Sequence, residues 1–183
     1  MTRLVQRLGL TRYEADEHYK KALQLFTQPQ PKVDDAIIEM GYAIELLPTN
    51  SEYFAARGYF YLVESMMREA QADFEQSLKI YPHEMLAHYG RGVIAYRDRN
   101  WDEALAHFKD ADYAMPGRAE TLYYLALVHH RKQDNPQALA YMRQAEALFE
   151  ASNAAKQKRL ATSWAREFDK LAKKQLPSGR SAG

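Results

Sequence analysis

From residue 33 onward the apolar positions recur at helical spacing, inside blocks that themselves repeat. Ala36, Met40 and Ala43 return as Ala70, Phe74 and Ser77, then as Ala104, Phe108 and Ala111, then as Ala138, Met142 and Ala145; the first residues of these triplets lie 34 residues apart. Steps of four and three keep each triplet on one face of a helix. Upstream of the second, third and fourth triplets, Gly58, Gly92 and Ala126 hold one further shared place. No run shows the sustained alternation of a strand. A fixed period of this length marks stacked supersecondary units. Each unit is predicted to be two antiparallel helices whose backbones approach at the small residues, with Phe74 and Phe108 filling the space beside them.

The punctuation agrees. Pro48, Pro82 and Pro116 each stop a helix, because proline lacks the amide donor and restricts the residue before it. Asn135 before Pro136 reads as a cap with a first-turn proline, and Asn100 three residues before Glu103 as a capping box; Thr11 before Glu14 reads the same way at the first helix. Gln28-Pro29-Gln30-Pro31 is a loop. Leu4, Val5 and Leu8 predict one short helical turn. Leu160, Trp164, Phe168 and Leu171 recur at helical spacing and predict an amphipathic helix over roughly 154–175, followed from Pro177 by a disordered tail.

Residues 51–84 carry Phe54, Gly58, Tyr61, Ala70, Phe74, Ser77 and Pro82. This spacing resembles the tetratricopeptide repeat, W-x2-L-G-x2-Y…A-x3-F…P. Residues 85–118 keep Gly92, Ala104, Phe108, Ala111 and Pro116, and 119–152 keep Ala126, Ala138, Met142 and Ala145, with Glu150 where proline would stand. Alignment of 17–26 with 87–96 places a first unit at 15–50, its connector two residues longer. The resemblance implies an all-α, right-handed α-solenoid of four helical hairpins (15–50, 51–84, 85–118, 119–152). An N-terminal extension would occupy 1–14, a C-terminal capping helix 153–176, and the tail 177–183.

In proteins similar to this one, the first helices line a concave surface that holds an extended peptide or a partner helix. The corresponding stripe here is rich in tyrosine, which combines apolar area with a hydroxyl handle. The resemblance therefore points to a noncatalytic interaction adaptor with Tyr19, Tyr59, Tyr89, Tyr96, Tyr123, Tyr124, Arg97 and Arg131 as its partner-binding groove. Co-chaperones of the family clamp the acidic C-terminus of heat-shock chaperones with lysine, asparagine and arginine. The matching positions here are Tyr19, Leu23, Ala56, Leu86 and Gly90, or Ala55, Tyr59, Gly90, Glu120 and Tyr124, and neither frame supplies those donors. The alternative function is a self-associating structural module, a homo-oligomer, joined through the groove or the apolar Met66-Met67 turn.

Composition narrows the reading. The chain has 183 residues, a single domain's worth, with 46% hydrophobic and 27% charged residues and a net charge of +1, so nothing pulls it globally toward nucleic acid or membrane. The absence of cysteine excludes disulfides and thiolate chemistry, no window is long and apolar enough to span a bilayer, and MTRLVQRLGL lacks a secretory apolar run; a cytoplasmic location is expected. The charge is uneven. Residues 151–183 carry eight Lys/Arg against Glu167 and Asp169, a net of +6, which leaves −5 for the remainder. There is no P-loop, GxGxxG, nucleophile elbow or HExxH. The six histidines, His18, His83, His88, His107, His129 and His130, form no metal-ligand spacing. No enzyme activity, cofactor or metal is expected, and the expected partner is a protein or peptide segment.

Overall fold

The computed structural model describes the backbone of residues 2–175 and the side chains of 9–175; the tail from Pro177 and the side chains of Leu4, Val5 and Leu8 lie outside the described residues. The described chain is all-α: α1 Thr2–Thr27, α2 Val33–Leu46, α3 Ser51–Val63, α4 Met67–Ile80, α5 Met85–Arg97, α6 Trp101–Ala114, α7 Ala119–Arg131, α8 Asn135–Ala151 and α9 Ala155–Gln175. The repeating triplets line the second helices, and each of their twelve residues, from Ala36 to Ala145, is fully buried. Ser77 is the polar member, and its hydroxyl donates to the Ser51 carbonyl at 2.9 Å, so no buried donor is wasted there. The α2, α4 and α6 helices end two residues before Pro48, Pro82 and Pro116; α8, with Glu150 in place of proline, runs on to Ala151.

The fold divides into two compact units, one ending at Ile94 and one beginning at Ala95, within the last turn of α5. In the first unit α1 packs on α2, α2 on α3 and α3 on α4. Its core gathers Ala15, Ala22, Ala36, Met40, Tyr53, Phe54 and Phe60, and Phe26 stacks on Phe60 with centroids 4.5 Å apart. Glu39 closes the α1–α2 hairpin, meeting Lys21 Nζ and His18 Nδ1 at 2.7 Å each. Burial works to raise the Glu39 carboxyl, but the hydrogen bonds from Lys21 and His18 outweigh it and hold the group below the ordinary carboxylate range.

The α3–α4 hairpin is closed by a fork. Arg57 Nε and Nη2 donate to the two Asp73 oxygens at 2.7 and 2.9 Å, and its guanidinium lies 5.9 Å from the Phe54 ring and 5.8 Å from Tyr61. The hydrogen bonds to Asp73 raise the guanidinium above its already high pKa. Phe74, fully buried, sits between two glycines. A Cβ on Gly58 would stand 2.8 Å from its ring, and one on Gly90 only 2.1 Å. Gly90, placed on the groove stripe by sequence, is therefore a packing residue: α5 approaches the Phe74 ring so closely that only a hydrogen fits.

In the second unit α6 packs on α7, α7 on α8 and α8 on α9. The last helix buries Ala161, Ala165, Phe168 and Ala172, while Leu160, expected in the apolar stripe, is 49% exposed. Gln175 ties the end of α9 back to the α7–α8 turn, donating to the Gln133 carbonyl at 2.8 Å and accepting from the Asn135 amide at 3.3 Å.

Of the three capping signals, the one at Asn100 held, and those at Asn135 and Thr11 did not. Asn100 caps α6: its Oδ1 accepts from the Glu103 backbone amide, and its side-chain Nδ2 donates to Glu103 Oε2 at 2.7 Å. Asp134, not Asn135, is the cap of α8, accepting from Gln137 N, so Asn135 and Pro136 occupy the first turn. There is no separate first turn either. The α1 helix is continuous from Thr2, so Thr11 and Glu14 lie inside it rather than at a cap.

The intra-hairpin turns repeat without glycine. Ser65, Arg99 and Gln133, again 34 apart, adopt the left-handed conformation, with φ of 61°, 60° and 65°. In each, the following amide reaches back five residues: Met66 N to Tyr61 O, Asn100 N to Ala95 O, and Asp134 N to His129 O, all at 2.9 Å. A side chain in this conformation costs about 1–2 kcal/mol, and glycine returns roughly 0.5–1 kcal/mol of that in unfolded-state entropy. Gln133→Gly is therefore expected to stabilise the protein by about 0.5–1 kcal/mol and Gln133→Val to destabilise it by a similar amount, read as opposite shifts of the urea midpoint.

Candidate partner-binding surface

The predicted groove residues fall into both units. In the first, Tyr19 on α1 and Tyr53 on α3 pair across the helices with centroids 5.1 Å apart. Tyr19 Oη donates to Glu52 Oε1 at 2.6 Å, and Tyr53 Oη donates to Asp16 Oδ1 at 2.7 Å, so each helix supplies one phenol and one carboxylate. Burial first, and then the adjoining carboxylate, pushes the Tyr53 phenol up to about 12 and that of Tyr19 further. Both stay protonated donors. Tyr59 is half-buried, edge-on to Phe26 at 5.9 Å, and Tyr89 is half-buried on α5. Ala55, Ala56 and Gly90, at the positions matched to the clamp, are buried.

In the second unit an aromatic cluster forms. Tyr96 meets Trp101 edge-on at 5.2 Å and Tyr124 at 5.6 Å, and Tyr124 stacks on Phe108 at 5.0 Å. Exposed Arg131 places its guanidinium 5.9 Å from the Trp101 centroid and directs Nε toward Tyr96 Oη at 3.4 Å. Tyr123 lies 6.0 Å from Tyr124 and 6.4 Å from Phe149; burial raises its phenol, and a hydrogen bond with Trp164 partly offsets that. Arg97 is exposed at the end of α5. Leu127 is buried.

Thus Tyr96, Tyr123, Tyr124 and Arg131 come together as one amphipathic patch, and Tyr19 and Tyr59 as separate half-buried rings. The stripe missed Trp101 and Tyr53. Trp101 was legible in outline, because the Asn100 cap places it first in α6, immediately beyond the turn from Tyr96. Met66 at the α3–α4 turn is 39% exposed, whereas Met67 is half-buried.

Residues 67–119 match the model of the tetratricopeptide repeat. That stretch, from α4 to the start of α7, is a tetratricopeptide-repeat segment. The SGT1 homolog of Bos taurus is 28% identical to this chain over 75 residues, 41% of this chain and 22% of the relative, so the chain spans about a fifth of that relative's length. Among solved structures, Pseudomonas aeruginosa PilF superposes with a TM-score of 0.65 at 15% identity, covering 86% of this chain and 78% of PilF. The first repeat domain of RPAP3, solved with the Hsp90 peptide SRMEEVD, superposes with a TM-score of 0.60 at 18% identity, covering 66% of this chain and 94% of that one. At these identities the likeness establishes the fold, the all-α hairpin solenoid. No helix among the described residues is long and apolar enough to cross a membrane.

Proposed function

We propose that the chain is a noncatalytic protein-interaction module that binds a segment of a partner protein, extended or helical, on its first-helix surfaces. The observation that carries this reading is the Tyr96–Trp101–Tyr124 cluster with Arg131 across it. Half-buried rings offer apolar area that costs little rotamer entropy to immobilise, and exposed Arg131 and Arg97 orient what docks there. Tyr123 extends the patch; Tyr19, Tyr59 and Tyr89 offer further rings on the first unit. That the RPAP3 domain holds a peptide supports the general mode. The ligand differs in kind, because the positions that would clamp a terminal carboxylate hold tyrosine, leucine, alanine, glycine and glutamate in this chain.

The test is a displayed peptide library selected on the full chain. Selected segments should lose about tenfold or more in affinity for Tyr96→Ala/Arg131→Ala while the far-UV dichroism stays helical, and SRMEEVD should not be enriched. Retention of the selected peptides by the variant would remove the cluster as the site.

A further inference from the structure

In the second unit α9 covers α8. In the first unit, described side chains of the first hairpin leave apolar area exposed. On α1, Leu10 is 61% and Tyr13 63% exposed, and on α2 Tyr42 is 47% exposed. Between the two helices lies an open hollow of about 580 Å³ lined by Glu14, His18, Tyr42, Glu45 and Leu46. Glu14 and Glu45 have no ion-pair partner among the described residues, although Lys20, Lys21 and His18 nearby are engaged by Glu17 and Glu39. Exposed Tyr42 and two carboxylates with no ion-pair partner among the described residues thus line one hollow.

The complementary surface is on α9. Its buried residues, Ala161, Ala165, Phe168 and Ala172, occupy one side. Lys156, Arg159, Lys170 and Arg166 project from the opposite side at helical spacing. The helix holds seven Lys/Arg against Glu167 and Asp169, and Lys156, Arg159, Arg166 and Lys174 are exposed with no ion-pair partner among the described residues. Exposed Leu160 borders this stripe. The same asymmetry runs through the whole sequence: residues 1–94 carry ten Lys/Arg against thirteen Asp/Glu, and 95–183 carry fifteen against eleven.

We propose that a second copy of this chain covers the first hairpin, laying the basic stripe of its α9 over Tyr13, Tyr42, Glu14 and Glu45. The contact joins two different surfaces, so each added copy again presents an acidic face and a basic one, and association grows with concentration. Opposite charges steer the faces together, and Leu160 with the exposed tyrosines supplies the apolar burial that holds them. This surface is separate from the Tyr96–Trp101 cluster and stands or falls independently of it.

Sedimentation equilibrium with two charge-reversed variants decides the matter. The wild-type weight-average mass should rise with concentration at low ionic strength and fall toward the monomer in about 1 M salt, where the screening length is only about 3 Å. Glu14→Lys/Glu45→Lys alone and Arg159→Glu/Arg166→Glu alone should each associate at least about tenfold more weakly than wild type, since two exposed pairs change from attraction to repulsion. An equimolar mixture of the two variants should associate again, because each then offers the other an opposite face. These exposed substitutions leave the buried seams intact, which the far-UV dichroism checks. A wild-type mass that stays monomeric at every concentration overturns the proposal, as does a mixture no more associated than its separate components.

Discussion

Arg57→Met is expected to lower the free energy of unfolding by about 3 kcal/mol, the largest single-residue effect among the charged positions. The reason is what it leaves behind. The Asp73 side chain is only 9% exposed and is held by two donors of one guanidinium, so removing that fork strands a carboxylate in a nearly dry seam. Arg57→Lys should recover only part of the loss, because a single ammonium cannot meet both oxygens in the plane of the carboxylate. Arg57→Met/Asp73→Leu should be much closer to wild type than the single variant, since burying no charge is better than burying one unpaired. Urea unfolding followed by far-UV dichroism measures all three. If the single and double variants are equally destabilised, the pair is not what closes the α3–α4 hairpin.

Gly90→Ala is expected to cost about 2–3 kcal/mol although it adds a single methyl group. Helix propensity alone predicts the opposite, a gain of about 0.5–1 kcal/mol. Sterics decide the sign. The new Cβ would stand 2.1 Å from the Phe74 Cζ and 2.3 Å from Cε2, and the ring cannot withdraw, since Phe74 is fully buried with Gly58 against its other edge. Gly58→Ala, meeting the ring at 2.8 Å, should cost less. Phe74→Leu removes the far end of the ring, so Gly90→Ala/Phe74→Leu should lose much less than the two single variants added together. Additive losses would show that Gly90 matters for a reason other than Phe74.

The contrast between these glycines shows where sequence reasoning reached and where it stopped. Gly58 was legible because it recurs at one place in the repeat, with Gly92 and Ala126 as counterparts. Gly90 sits two residues from that register, and only the approach of α5 to Phe74 exposes its role. Likewise the alanine and Phe/Met positions announced their burial by period, while Leu160 shared the apolar spacing of α9 and yet faces out. The tyrosine stripe was visible as a pattern of residue types. Its division into hydrogen-bonded phenols at Tyr19 and Tyr53, a stacked ring at Tyr124 and a patch completed by Trp101 was not, because those partners come from neighbouring helices with no fixed sequence offset.

Period, capping residues and proline stops are local or regularly repeated, so the amino-acid order alone was enough to specify helices, hairpins and a buried small-residue seam. Helix-to-helix distances and side-chain directions are collective properties of packed surfaces. They determined which glycine faces a ring, which tyrosines retain free area, and which helix faces leave charge exposed. A linear pattern records which face of a helix is apolar, whereas what lies against that face depends on every neighbour at once.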